Sequence, residues 1–157
     1  MTVYFELGNL KIFNNDTGQL DTNFWKMVME IKTESYNVSY DEASHNIIFD
    51  GSLRLNGTAE YASITELLNN VAQQEPEKIV LDLKDLNFLN SSGISILSKF
   101  VINVRRRKNI QMVVVGAKKN PWQGKSLKNL QRLMPSLKLE MEEWEIAAEK
   151  QKETTKS

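Results

Sequence analysis

The spacing of apolar positions divides the chain into short elements of two kinds. Tyr36, Val38 and Tyr40 alternate with polar residues, as do Ile47, Phe49, Leu53 and Leu55 after the polar stretch 41–46, so residues 36–55 are predicted to form a β-hairpin. Tyr61, Ile64, Leu67, Leu68 and Val71 recur at helical spacing over 59–74, where Glu75-Pro76 stops the helix. The run 78–83 (KIVLDL) is a short buried strand. A second amphipathic helix is expected over 92–108, carrying Ile94, Leu97, Val101 and Val104, and its end is rich in cations. The β-branched run 110–115 is the next core strand, 122–134 a third helix ended by Pro135, and 137–141 a last edge strand.

Strands alternating with helices after an opening hairpin imply parallel crossovers on a mixed sheet, hence a small α/β sandwich. Residues 1–34 stand apart. VYFEL and LKIF alternate like edge strands, and 23–31 (NFWKMVMEI) reads as either a strand or a helix behind Asp21-Thr22, with a hairpin followed by a short helix the expectation. This extension is too apolar for a solvated tail and is expected to pack on the sheet or on another subunit, which leaves a homodimer open. Residues 142–157 form a polar, helix-prone tail. The expected organisation is therefore 1–34, 35–141 and 142–157.

Composition removes several chemistries. The 157 residues include no Cys and a single His, so neither a thiolate nucleophile nor a Cys- or His-pair metal site can be assembled, and no metal or other cofactor is expected. No run of 18 or more apolar residues exists, and the N-terminus has no basic segment followed by an apolar one, so a cytoplasmic protein that does not insert into membranes is expected. Gly124-Lys125-Ser126 has the look of a phosphate-binding loop, but Lys119 stands where that motif requires glycine. His45 lies in a polar turn with no nucleophile beside it. No enzyme activity is expected.

The zero net charge conceals a segregation. Residues 86–139 contain 11 cations and no acid, whereas 1–85 carry an excess of acids. Two explanations fit: a partner of acidic character, or an acidic first half folded against a basic second half. Arg105, Arg106, Arg107 and Lys108 end the second helix, where cations oppose the helix dipole and could also meet phosphates. With one such cluster and no interleaved aromatics, the pattern weighs against nucleic acid.

The stretch Phe88-Leu89-Asn90-Ser91-Ser92-Gly93 links the strand 78–83 to the second helix. Plain capping by Ser91 or Ser92 accounts for the hydroxyls, yet leaves the apolar turn over 85–89 unexplained. This arrangement of strand, apolar turn, Asn90-Ser91-Ser92-Gly93 and helix resembles the STAS domain of bacterial anti-sigma factor antagonists, whose signature is an apolar loop followed by Asp-Ser-Ser-Gly. Gly51-Ser52-Leu53-Arg54-Leu55 matches the Gly-containing second strand, and Gly116-Ala117 follows the penultimate strand. The resemblance spans about 36–141.

It implies an α/β fold of STAS type: a mixed sheet opened by an antiparallel hairpin, with helices mainly on one face. It also implies a signalling phosphoprotein in transcription regulation, with Ser91 the residue phosphorylated and Phe88, Leu89, Asn90, Ser91, Ser92 and Gly93 forming the partner contact. The implied partners are an anti-sigma factor or serine/threonine kinase and a cognate phosphatase. Asn90 departs from the Asp of the signature. Two other functions fit the residues: a STAS scaffold that is never phosphorylated, and a basic adaptor for nucleic acid or anionic lipid.

Overall fold

The computed structural model describes residues 2–6, 9–13 and 29–143. Strands β1 (Thr2–Glu6) and β2 (Asn9–Phe13) pair antiparallel, with Thr2 opposite Phe13 and Glu6 opposite Asn9. This is the hairpin expected of VYFEL and LKIF. A six-stranded sheet comes next, built in sequence order from β3 (Met29–Lys32), β4 (Tyr36–Asp41), β5 (Asn46–Leu53), β6 (Lys78–Leu89), β7 (Gln111–Ala117) and β8 (Lys138–Glu142). The first three strands pair antiparallel with one another, and β5 to β8 run parallel.

Each parallel connection carries helix: α1 (Gly57–Glu60) with α2 (Ala62–Gln73), then α3 (Ser91–Arg107), then α4 (Pro121–Leu133). Since every crossover steps to the next strand in the same direction, the right-handed rule places all of these helices on one face. Alternation fixes what lies between. Ile47, Phe49, Ile79, Leu81, Leu83, Met112 and Val114 are buried beneath Leu67, Leu68, Leu97, Phe100, Leu127 and Leu130 from the helices. Among the described residues no helix is long and apolar enough to cross a membrane.

Two expectations about local structure are corrected. Residues 29–32, the end of the segment expected to be a short helix, are a strand: Met29 is buried and Ile31 partly so, while Glu30 and Lys32 are exposed, a period of two that suits the edge of β4. Residues 23–28 lie outside the described residues, as do 144–157 of the tail. The turn expected over 85–89 is the second half of β6, which remains paired with β5 through Asp50–Asp85, Gly51–Leu86, Ser52–Phe88 and Leu53–Leu89. Two register shifts put an extra residue on β6 between Asp82 and Asp85 and again between Leu86 and Phe88. Each bulge reverses the facing of the residues beyond it. The buried positions Leu83, Leu86 and Leu89 thus fall three apart, and each of the two later leucines adds about 1.5–3 kcal/mol of burial. The apolar character left unexplained by a loop is that of a core strand.

Beyond Asp82 the edge of β6 facing β7 has no strand partner among the described residues. Side chains from the start of α4 and the residue before it take that place. Gln123, fully buried, donates from Nε2 to the carbonyls of Leu83 (2.6 Å) and Leu86 (3.1 Å) while its Oε1 accepts from the Ala117 N–H (2.8 Å). Asn120 Nδ2 donates to the Lys84 carbonyl (3.0 Å) and Trp122 Nε1 to that of Asn87 (3.1 Å). Four carbonyls that a β-ladder would have satisfied are met by side chains instead. Gly124-Lys125-Ser126 lies within α4 and forms no loop.

Candidate functional site

Where β6 gives way to α3, the chain turns once, at Asn90. Its backbone is extended (φ −81°, ψ 176°) and its Oδ1 accepts from the Gly93 N–H at 3.0 Å, so Asn90 is the N-cap of α3. The expectation that Ser91 or Ser92 would cap is corrected, because the helix begins at Ser91 and the capping oxygen must come from the residue before it. Asn90 does more than cap. Its Oδ1 also accepts from the Tyr61 hydroxyl at 2.7 Å, and its Nδ2 donates to the Leu55 carbonyl at 2.6 Å. Since the Gly93 N–H can only donate and the Leu55 carbonyl can only accept, the amide orientation is determined by its partners.

One side chain thereby ties three places together: the start of α3, the chain leaving β5 and the junction of α1 with α2. Tyr61, buried at that junction, has its phenol pKa raised above 10.0, chiefly by burial. Gly93 completes the joint. A Cβ there would strike the Leu89 side chain and lie 2.7 Å from the Tyr61 hydroxyl oxygen, so only glycine lets the first turn of α3 settle onto them. Gly51 is a second enforced glycine, with φ 94° and the Ser35 carbonyl where a Cβ would be.

The six residues expected at the site therefore divide. Leu89 and Gly93 are interior and shape the surface from beneath. Asn90 is half-buried in its network. Ser91 is exposed at the first helical position, Ser92 is half-buried behind it, and neither hydroxyl makes a hydrogen bond among the described residues. Phe88 is half-buried beneath the Arg54 guanidinium, whose carbon lies 4.0 Å from the ring centroid. Trp122 and Arg54 were not singled out in the sequence, yet they flank this end of the sheet. Trp, Phe and Arg, which meet the end of β6 through the Arg54–Phe88 stack and the Trp122–Asn87 bond, are residue types enriched in protein interfaces.

The basic cluster divides as well. Arg105 donates to the Leu133 carbonyl (3.1 Å) at the end of α4, and Arg107 pairs with Glu75 (3.1 Å) and donates to Asn103 (3.3 Å). Arg106 is exposed, and Lys108 terminates α3 in the left-handed conformation at φ 65°. Near the sheet end, Lys84 holds its proton above the usual lysine range, mainly because of the Asp82 carboxylate 3.5 Å away.

Comparison with known proteins agrees with this architecture. One chain of the crystal structure of diguanylate cyclase SiaD in complex with its activator SiaC, from Pseudomonas aeruginosa, superposes with a TM-score of 0.58 at 11% identity, covering 73% of this chain and 99% of that one. SiaC of Pseudomonas aeruginosa gives 0.55 at 11% identity, with 74% and 98% covered. At such identity the likeness speaks for the fold alone. No curated protein matches. The model of the STAS domain matches residues 53–140, more than half of the chain, from the end of β5 through the Asn90–Gly93 joint to β8. The chain belongs to the STAS domain family.

Proposed function

We propose that this chain is a regulatory protein-binding domain without catalytic activity, acting in the cytoplasm by partner switching, with Ser91 as the phosphorylated residue. One observation carries the reading. Every structural task at the start of α3 falls to another residue, capping to Asn90, close packing to Gly93 and core filling to Leu89, which leaves the Ser91 hydroxyl exposed and unpartnered among the described residues. A phosphate there adds about −2 charge at a helix N-terminus, where the dipole and the N–H groups outside the intrahelical ladder favour an anion. Fold and switch are thus separable.

The partner is an anti-sigma factor or serine kinase, with a phosphatase to reset the switch. SiaC, similar in fold, was crystallised with a diguanylate cyclase, and this makes a signalling enzyme the second class of partner to test. Intact mass of the protein from its native cells should show one phosphate that Ser91→Ala abolishes. Ser91→Asp should stay within about 1 kcal/mol of wild-type stability yet lose the partner that copurifies with wild type. A protein that is never phosphorylated, together with normal binding by Ser91→Asp, would leave a constitutive scaffold.

A further inference from the structure

The acid-free block 86–139 resolves into two populations in the fold. Four of its 11 cations meet carboxylates: Arg107 with Glu75, Lys119 with Asp85 and Lys138 with Glu140, each at 3.1 Å, and Lys118 with Glu143. The other seven form no salt bridge among the described residues. All are exposed, and all belong to α3, its C-terminal cap or α4: Lys99, Arg105 and Arg106, then Lys108, then Lys125, Lys128 and Arg132. Arg105 and Arg132 do donate hydrogen bonds, but to the Leu133 carbonyl and the Asn129 amide oxygen, which are neutral. The two helices, which contain no Asp or Glu, pack side by side. Acids of the first half (Glu75 and Asp85) and of the segment after the block (Glu140 and Glu143) therefore neutralise only its margins and leave the outer face of α3 and α4 uniformly positive.

We infer that this helix face docks an acidic protein surface, an inference that rests on the protein-binding role proposed above. A solvated face normally mixes both signs, because a one-sign field costs self-repulsion. The extent suits a protein. An α3 of 17 residues is about 25 Å long, and two adjacent helices of that order lie within the roughly 800 Å² per partner of a standard interface.

A long polyanion fits less well. The chain is neutral overall, so the surface outside this face carries the compensating acids. A duplex or a membrane plane extending past the two helices would meet them.

The face also reaches the switch. Positions 91, 95, 99, 102 and 106 fall within about 80° of one another at 100° per residue and form the outer row of α3. Ser91 and Lys99 lie two turns apart on it, about 12 Å. A phosphate on Ser91 would compete with the partner's carboxylates for the near end of the row.

The test uses the full chain and three probes: a poly-glutamate peptide, a random DNA duplex and vesicles containing phosphatidylserine. Poly-glutamate should shift the amides of α3 and α4. Its affinity should fall about tenfold in the triple variant Lys99→Gln/Arg106→Gln/Lys128→Gln, and steeply as the Debye length shrinks from about 10 Å at 0.1 M salt to about 3 Å at 1 M. Thermal melting of the triple variant should match wild type. Ser91→Ala should bind the peptide as wild type does, so the docking face and the switch can fail separately. Shifts confined to other elements, unchanged affinity in the folded triple variant, or tighter binding of the duplex or the vesicles would overturn the inference.

Discussion

Replacing Asn90 by the aspartate usual in the family's signature isolates what the amide contributes. In Asn90→Asp the oxygen that accepts from Gly93 and Tyr61 is retained, and Asp caps a helix as well as Asn does, so those two bonds survive. The Nδ2 bond to the Leu55 carbonyl, 2.6 Å long, is replaced by a carboxylate oxygen facing a carbonyl oxygen. Losing the bond costs about 1 kcal/mol, and leaving the half-buried carbonyl opposed by an acceptor costs about 1–3 kcal/mol. Charge at the helix N-terminus returns about 0.3–1 kcal/mol. The balance is a destabilisation of about 2 kcal/mol at pH 7, or about 4–8 °C in Tm for a chain of this size. The sign of its pH dependence comes from the same geometry. A protonated carboxyl can donate to Leu55, so the folded state raises the pKa of the introduced group; the penalty is full above that pKa and fades as pH falls towards the unfolded value of about 3.9. Urea unfolding of both proteins from pH 8 down to about pH 4 measures this directly, with the wild type correcting for every other titrating group. A variant as stable as wild type at pH 7, or a deficit that does not shrink on acidification, would refute the assignment of the amide as a tether.

Gln123→Leu keeps the volume but removes all three hydrogen bonds to Leu83, Leu86 and Ala117; at about 1–3 kcal/mol for each buried group left unsatisfied, a loss of at least 3 kcal/mol is expected by denaturant unfolding, and a loss below 1 kcal/mol would show that β6 does not depend on α4. The phenols of Tyr36, Tyr40 and Tyr61 are all raised above 10.0, in each case mainly by burial. Their share of stability is complete below the unfolded pKa and is lost as pH rises towards the folded values. Tyr61→Phe should therefore cost about 1 kcal/mol at pH 7, through its bond to Asn90, and lose less stability than wild type between pH 9 and 11.

Much of this architecture is legible because apolar spacing reports which face of an element is covered. The β4–β5 hairpin and the three amphipathic helices come from that rule, and β7 from its run of β-branched residues. The spacing rule fails where the period is interrupted for a reason other than the end of an element. In β6 the alternation stops at Leu83, and the interruption marks two bulges within a strand that continues to Leu89. Met29–Lys32 is too short for its period of two to stand out beside the apolar residues preceding it, and its pairing with β4 is a tertiary fact. The Asn90-Ser91-Ser92-Gly93 motif was visible, but its division of labour was not. Three polar residues in a row are equivalent as candidate caps until the helix start is fixed. Tyr61 read as one more apolar position of a helix, with nothing local to indicate where its hydroxyl points.

The interior of the site is built so that the proposed switch would be sensitive at its surface and inert beneath. Asn90 ties the first turn of α3 to Leu55 and Tyr61, groups that remain in place whatever charge Ser91 carries. Gly93, pressed against Leu89 and Tyr61, prevents that turn from lifting without breaking core contacts. A phosphate on Ser91 therefore has little means of acting by moving the helix. What remains is electrostatic: Lys99 and Arg106 lie on the outer row of α3, and no acid lies on either α3 or α4. In the proposed switch, phosphorylation would weaken docking by occupying positive potential and not by reshaping the surface. The phosphorylated and unphosphorylated proteins should accordingly give the same amide shifts beyond the first two turns of α3, while differing in affinity for an acidic probe.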